Sequence, residues 1–233
     1  MPVIIDRNMD AEFIGAIRSV FPKRTIIKSY YLSGINGALS THPDIQIHFL
    51  NGKTAVCAPE CFNYYKKNLS RFGIDVVMGE TSPENTYPAD IAYNVARVGI
   101  YVISKMQNTE PKILEYYQSH KKYRLINTKQ GYAKCNLCIA GSNAVITEDE
   151  NLFGILSELG DIKVLKTEKG RVSLRGYEYG FIGGASGLID DIAVFCGKLP
   201  RSIIDFLDVN NIKYCCLAQS GLVDYGSIIA ARN

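Results

Sequence analysis

The chain has 233 residues, of which 47% are hydrophobic and 21% are charged, and its formal net charge is +3. This composition is typical of a globular protein with a sizeable buried core, and it excludes a disordered or coiled-coil chain. No tract or stripe of lysine and arginine is present, which argues against nucleic acid as the main partner. No apolar stretch approaches the roughly 18 residues of a membrane helix, and the N-terminus lacks a signal-peptide pattern. We expect a soluble protein.

The cysteines indicate a reducing compartment. There are seven of them, an odd number, and Cys215 and Cys216 are adjacent in a strand-like run. A disulfide framework normally uses an even number of spaced cysteines. The sequence therefore predicts reduced thiols in the cytoplasm. The pair Cys135 and Cys138 has no second pair and no histidine cluster near it, so we expect no metal site.

The predicted elements repeat along the chain. A helix over 12–21 and a strand over 25–31 come first. Four later segments then begin alike, at 42–48, 88–94, 133–139 and 181–187, and their anchor positions 44, 90, 135 and 183 are 45 to 48 residues apart. A fifth start follows at 222–228. A fixed period of this length is typical of a fold built from repeated units.

Each repeat has the same internal order. The opening run is followed by a turn signal and a second apolar run, as where Asn51-Gly52 precedes 54–57; Asn-Gly between apolar runs is a strong hairpin signal. Apolar residues at spacings of three and four then predict helices over 60–72, 110–120, 149–159 and 201–210. A third apolar run ends each repeat. The unit is thus strand, strand, helix, strand.

The two ends of the sequence complete the count of units. We predict one α/β domain over 1–233, with units at 42–87, 88–132, 133–180 and 181–221, and with a fifth unit split between 222–233 and 1–41. Closing the units into a five-fold pseudosymmetric ring would remove the exposed sheet edges. An open doubly wound sheet is the alternative, but it alternates one strand with one helix, whereas two runs precede each helix here.

Five ββαβ units in a ring resemble the pentein superfamily, the α/β-propeller of guanidino-group-modifying enzymes. The segments 93–99, 130–135 and 180–187 are similar to an uncharacterised bacterial pentein-like family. The resemblance implies either a deiminase-like or amidinohydrolase-like activity or, as in a ribosome anti-association factor with this architecture, a silent interaction module.

The resemblance also implies roles for individual residues. The His42-Pro-Asp44 segment is similar to the His-x-Asp motif of these enzymes, in which the histidine transfers protons and the aspartate binds a guanidinium. In these enzymes the nucleophilic cysteine follows a Gly-Ser-Ile-like stretch near the chain end. Here that position is Ala230, which cannot form the covalent adduct. The alternative for His42 and Asp44 is a polar pair that caps a turn.

Cys135 is the remaining candidate nucleophile, because it opens a unit two modules after His42. Lys134 would lower the pKa of the Cys135 thiol if the two side chains approached. The alternative is a buried structural cysteine. The glycines at 183–187 favour close backbone approach near the ring axis over a phosphate loop.

The ligand candidates are polar residues at equivalent places in the units. Asp44, Asp90 and Asp224 would converge on one central channel as an acidic pocket, or they could serve as repeated turn caps. The other candidates are Asn94, Arg97 and Lys129, and Arg97 could instead neutralise Asp44 or Asp90.

The sequence leaves three functions open. The first is binding of a small polar or cationic ligand, guanidino- or amino-acid-like, in a central pocket. The second is a Cys-dependent guanidino hydrolase or transferase that uses His42, Asp44 and Cys135. The third is a non-catalytic protein-interaction module. No cofactor is expected for any of them.

Overall fold

The computed structural model describes residues 1–231. Its six α-helices are α1 (Ala11–Val20), α2 (Phe62–Leu69), α3 (Pro111–Ser119), the short α4 (Ala133–Asn136), α5 (Glu150–Ser157) and α6 (Arg201–Val209). Each of the five longer helices lies within the span predicted for it or within one residue of it. The apolar spacing was therefore a sufficient signal for them. No helix within residues 1–231 is long and apolar enough to span a membrane.

Five small three-stranded sheets share one topology. In each, the opening strand pairs antiparallel with the middle strand, and the middle strand pairs parallel with the third, after a helix. The sheets, in the order opening, middle, third, are β17 (Ile229–Ala230), β1 (Pro2–Ile5) and β2 (Thr25–Lys28); β3 (Ile47–Phe49), β4 (Thr54–Cys57) and β5 (Asp75–Met78); β6 (Ala96–Val98), β7 (Tyr101–Ser104) and β8 (Arg124–Asn127); β9 (Leu137–Ile139), β10 (Ala144–Thr147) and β11 (Lys163–Lys166); β13 (Ser186–Ile189), β14 (Ile192–Phe195) and β15 (Tyr214–Cys216). A sixth sheet pairs β12 (Val172–Ser173) with β16 (Leu222–Val223). The ββαβ order predicted from the sequence is therefore present.

The buried apolar side chains link the sheets to one another. One core cluster joins the sheets of β1, β4 and β7. A second joins those of β7, β10 and β14, and a third joins those of β14 and β1. Each sheet thus packs on the next one along the chain, and the last packs on the first.

Strand β1 was not predicted, although it is the middle strand of its sheet. All four of its residues are buried, and it pairs with β17 on one side and with β2 on the other. A wholly apolar run of four residues is typical of a strand covered on both faces. The signal was present, but such a short run at a chain end has no flanking turn to mark it.

Two of the predicted opening strands start too early, at residues that form helical turns in the structure. Pro43–Ile45 forms a 3-10 turn, and Ala133–Asn136 forms the short helix α4. The adjoining strands begin only afterwards, with Ile47 in the first repeat and Leu137 in the third. A short buried apolar run does not distinguish a strand from a helical turn. The polar residues of these segments therefore lie on turns before the strands.

Candidate functional site

The turns that precede the opening strands bring three predicted site residues together. The Cys135 thiol donates to Asp44 Oδ2 over 3.0 Å, and the Asn94 side-chain amide donates to Cys135 Sγ, also over 3.0 Å. Asn94 Oδ1 in turn accepts from the backbone amides of Lys134 and Cys135, at 2.7 and 3.2 Å. All three residues are at most 3% exposed. Asn94 therefore fixes the start of α4 and so places the thiol against the carboxylate.

Ser227 joins the same group from the end of the chain, and the sequence did not single it out. Its hydroxyl donates to Asp44 Oδ2 over 2.7 Å and lies 2.9 Å from Lys134 Nζ, which donates to it. The backbone φ of Ser227 is +72°, a left-handed conformation that costs a non-glycine residue about 1–2 kcal/mol. Its amide is anchored to the Gly184 carbonyl at 2.8 Å. This packing holds the hydroxyl on Asp44.

The surroundings of Cys135 keep its thiol protonated. Burial, followed by the charges of Asp44 and Asp224, raises its pKa well above the usual value. The sequence predicted that Lys134 would act in the opposite direction if its side chain approached the thiol. In the structure the Lys134 ammonium donates to the Ser227 hydroxyl. Because the thiolate is the nucleophilic form of cysteine, Cys135 acts in this arrangement as a hydrogen-bond donor.

His42 faces a different carboxylate. Its Nε2 lies 4.0 Å from Asp6 Oδ2, and its Nδ1 is buried without a hydrogen-bond partner. Asp6 accepts from the Thr41 hydroxyl at 2.9 Å and from the Asn8 amide at 2.6 Å, and burial raises the Asp6 pKa. The sequence did not point to Asp6, although an acidic residue directly after an apolar run could have been a signal. The structure thus places His42 beside Asp6, and His42 also lowers the pKa of Asp224.

Asp90 and Asp224 are both buried, and each has its own hydrogen-bond partners. Asp90 accepts a short hydrogen bond from the Tyr132 hydroxyl, and its second oxygen has no partner. Asp224 accepts from the backbone amides of Phe181 and Gly226, each at 2.8 Å. Burial raises the pKa of both carboxyls. Asp224 behaves as the turn cap that the alternative described, and it is also electrostatically coupled to Asp44.

Arg97 and Lys129 also differ from each other in position. Arg97 Nη1 donates to the Leu50 carbonyl at 2.9 Å and to the Tyr123 hydroxyl at 3.3 Å, and it does not pair with Asp44 or Asp90. Lys129 is exposed on the turn after β8, where its backbone amide contacts Asn151. Arg97 thus remains a site residue, whereas Lys129 is remote from Asp44.

The glycines of 183–187 permit close approach, as expected. A Cβ on Gly183 would lie 2.3 Å from the Lys134 carbonyl oxygen, and one on Gly184 would lie 2.0 Å from Asp224 Oδ1. Only a residue without a side chain fits at these two positions. The glycines therefore let the loop before β13 pack directly on α4 and on Asp224.

A cavity of about 80 Å³ lies between the opening strands of all five three-stranded sheets. Its charged side chains are Asp44, Arg97 and Lys134. His48 also lines it and is neutral, because burial and the nearby Arg97 lower its pKa to about 3. Asp44 Oδ1 is buried and has no hydrogen-bond partner. The remaining wall comes from Asn51, Tyr93 and residues in or directly before the opening strands: Ile47, Phe49, Val95, Ile139, Gly187, Leu188, Ile228, Ile229 and Ala230.

Asn51 and Arg97 separate the cavity from a surface groove. Both residues line the cavity and also this groove of about 410 Å³, which Lys122 and Tyr123 border. Within residues 1–231, no cluster of three or more His, Cys, Asp or Glu side chains is arranged to hold a metal ion.

Comparison with protein families gives one match. The model of a family of unknown function, DUF6873, covers residues 4–229. A search of curated proteins by sequence gives no match.

Solved structures with the same fold are pentein-superfamily amidinotransferases and dimethylarginine dimethylaminohydrolases (DDAH). An amidinotransferase of the saxitoxin biosynthetic pathway from Microseira wollei matches with a TM-score of 0.61 at 10% identity, over 95% of this chain and 78% of its own. DDAH from Pseudomonas aeruginosa, a cysteine-to-serine variant complexed with citrulline, matches with 0.59 at 11% identity, over 92% and 91%. Inosamine-phosphate amidinotransferase from Streptomyces griseus matches with 0.58 at 11% identity, over 100% and 93%. At these identities the likeness establishes the fold.

Proposed function

The chain belongs to the family of unknown function DUF6873, and we propose that it binds a small polar or cationic ligand, guanidino- or amino-acid-like, in the central cavity. The observation that carries this proposal is Asp44. One of its oxygens accepts from Cys135 and Ser227, the other is buried without a donor, and the residue lines the cavity. A buried carboxylate oxygen without a hydrogen bond is costly. An N–H group of a ligand would supply the donor.

The five sheets are proposed to form the blades of a five-fold pseudosymmetric propeller around this cavity. Two observations support the ring. The core clusters connect each sheet to the next and the last to the first, and the opening strands of all five line the cavity. The site then lies on the axis, where residues from different units converge.

The charges of the cavity favour a zwitterionic ligand over a simple cation. The Asp44 carboxylate is accompanied by the cationic side chains of Arg97 and Lys134. A cationic group of the ligand would lie at Asp44, and a carboxylate would lie toward Arg97, which also lines the surface groove. The small volume limits the occupant to a few heavy atoms beyond a guanidinium or amino group.

A cysteine-dependent reaction is the second candidate, because Cys135 contacts both Asp44 and Asn94. The raised pKa of its thiol disfavours that candidate, since the nucleophile would have to ionise beside a carboxylate. Binding without covalent chemistry is therefore preferred. The interaction module is the outcome left if no small molecule binds.

The test of the proposal is a thermal-shift titration with guanidinoacetate, methylguanidine and acetate. At a concentration 100 times its Kd, a ligand stabilises the folded state by about 2.7 kcal/mol, which raises Tm by about 5–10 °C in a chain of this size. We expect guanidinoacetate to give the largest shift. Asp44→Asn should weaken its binding at least about tenfold, since hydrogen bonds to charged groups contribute about 1.5–3 kcal/mol.

Asp75→Asn is the matched control, because Asp75 is exposed on β5 and lies outside the cavity. It should leave the Kd unchanged. The proposal is wrong if none of the three compounds raises Tm, or if Asp44→Asn binds guanidinoacetate as tightly as the unaltered chain.

A further inference from the structure

A second cleft opens beside the sheet of β10 and β11, away from the central cavity. Its volume is about 800 Å³, and it shares no lining residue with the central cavity. Glu148, which directly follows β10, lies on one wall. The segment 166–169 after β11 lies on another, and Pro200 and Ser202 at the start of α6 complete it. The cleft therefore lies between the third unit (133–180) and the fourth unit (181–221).

Most charges of the cleft are paired with one another. Lys166 forms an ion pair with Glu150, and Arg171 Nε donates to Glu168 over 2.9 Å. These four side chains are largely exposed at the rim. The charged side chains of the cleft outside these two pairs are Glu148 and Lys169, which interact electrostatically with each other.

Glu148 is an unusual residue for the wall of an open cleft. It is only 2% exposed, and neither carboxylate oxygen accepts a well-formed hydrogen bond, although the Ile182 amide lies near enough to favour the charged form. Buried carboxylates are normally paired or hydrogen-bonded. Asp224 opposes ionisation of Glu148, and Lys169 favours it. Within residues 1–231, however, no cationic side chain donates a hydrogen bond to either oxygen of Glu148.

We propose that this cleft is a second ligand site, which binds the zwitterionic head of an α-amino acid with its ammonium group on Glu148 and its carboxylate on Lys169. An ammonium offers three N–H donors to the two unpaired oxygens of Glu148. Lys169 is exposed at the mouth, where it can turn toward a carboxylate. A simple anion would be repelled by Glu148, and a simple cation would leave Lys169 without a partner from the ligand. The remaining volume accommodates the amino-acid side chain.

The experiment compares L-arginine, N-acetyl-L-arginine and L-argininamide by isothermal titration calorimetry. N-acetylation removes the ammonium and should weaken binding at least tenfold, and the carboxamide should weaken it less, because Lys169 is solvated. Glu148→Gln should weaken L-arginine binding at least tenfold. Glu150→Gln, at the rim of the same cleft, should change the Kd by less than twofold.

A second measurement distinguishes direct contact from a structural effect. Burial raises the pKa of Glu148 to about 7, so at pH 7 about half of the population is protonated. An ammonium bound there drives ionisation, so we expect release of up to about half a proton per ligand, detected as a dependence of the binding enthalpy on the ionisation enthalpy of the buffer. Glu148→Gln should abolish this release, and Lys169→Ala should retain it.

The outcomes also separate this site from the central one. Asp44→Asn should leave L-arginine binding in the cleft intact, whatever happens to guanidinoacetate. Amide chemical shifts should move at 166–169 rather than at Asn51 and Arg97. No binding of L-arginine, or equal binding of L-arginine by Glu148→Gln, would overturn the proposal.

Discussion

Replacing Glu148 by glutamine should make the protein more stable at neutral pH. Burial raises the pKa of this carboxyl from 4.5 to about 7. A difference of about 2.5 pKa units corresponds to about 3 kcal/mol. Water in the open cleft screens part of this cost, so we take about 2 kcal/mol as the working magnitude.

The sign follows from proton binding. Below pH 4.5 Glu148 is protonated in both the folded and the unfolded state, and it imposes no penalty. Between pH 4.5 and 7 the unfolded chain releases the proton while the folded chain retains it, so the free energy of unfolding falls. Above pH 7 the full penalty remains. Glu148→Gln lacks this titration. Its free energy of unfolding relative to that of the unaltered chain should therefore rise by about 2 kcal/mol from pH 4 to pH 8.

Urea unfolding followed by circular dichroism, at pH 4, 5, 6, 7 and 8, measures the difference between the two proteins. Other buried carboxyls titrate in both and largely cancel in the difference, although Asp224 is coupled to Glu148. The exposed Glu150→Gln variant should show no such growth. A difference that stays constant with pH, or that shrinks toward pH 8, would refute the reasoning.

Two further predictions concern the buried centre. Iodoacetamide at pH 8 should label Cys216, which is half-buried, well before Cys135, whose thiol is buried with a raised pKa. Peptide mass mapping over time measures the order of labelling. Early labelling of Cys135 would restore the enzyme hypothesis. Gly184→Ala should destabilise the fold by about 1–3 kcal/mol, because its Cβ would overlap the Asp224 carboxylate. Gly154→Ala, in α5 with open space around it, should stabilise by up to about 1 kcal/mol, and equal Tm values for the two variants would contradict this.

The repeated unit could be predicted because its signals are local. The hairpin between β3 and β4 is marked by Asn51-Gly52, and α6 is marked by apolar residues at helical spacing. Each of these signals lies within a dozen residues. They also repeat five times, so that a weak indication in one unit is reinforced by the others. The resemblance to the pentein fold rested on that repetition, and the similar solved structures have this fold.

The site was predicted only in part, because it depends on contacts between distant segments. The meeting of Asp44 with Cys135 agrees with the expectation that equivalent turns converge. The carboxylate next to His42 depends on side-chain directions, which the sequence does not reveal. In the structure His42 Nε2 lies 4.0 Å from Asp6 Oδ2. Glu148 was not singled out because its isolation becomes visible only when its neighbours, such as Ile182, are known.

The pairing of β1 with β17 has a consequence for the order of folding. Val3 lies opposite Ala230, so β1 leaves the ribosome more than 200 residues before the strand that completes its sheet. Until then the antiparallel edge of β1 has no native partner, and pairing of such distant segments is slow because the intervening chain must first be brought together. The other four sheets are each contiguous and can form as they are synthesised. Chaperone contact during translation is therefore expected at Val3, Ile4 and Ile5, and crosslinks from these positions should disappear once 229–230 are released.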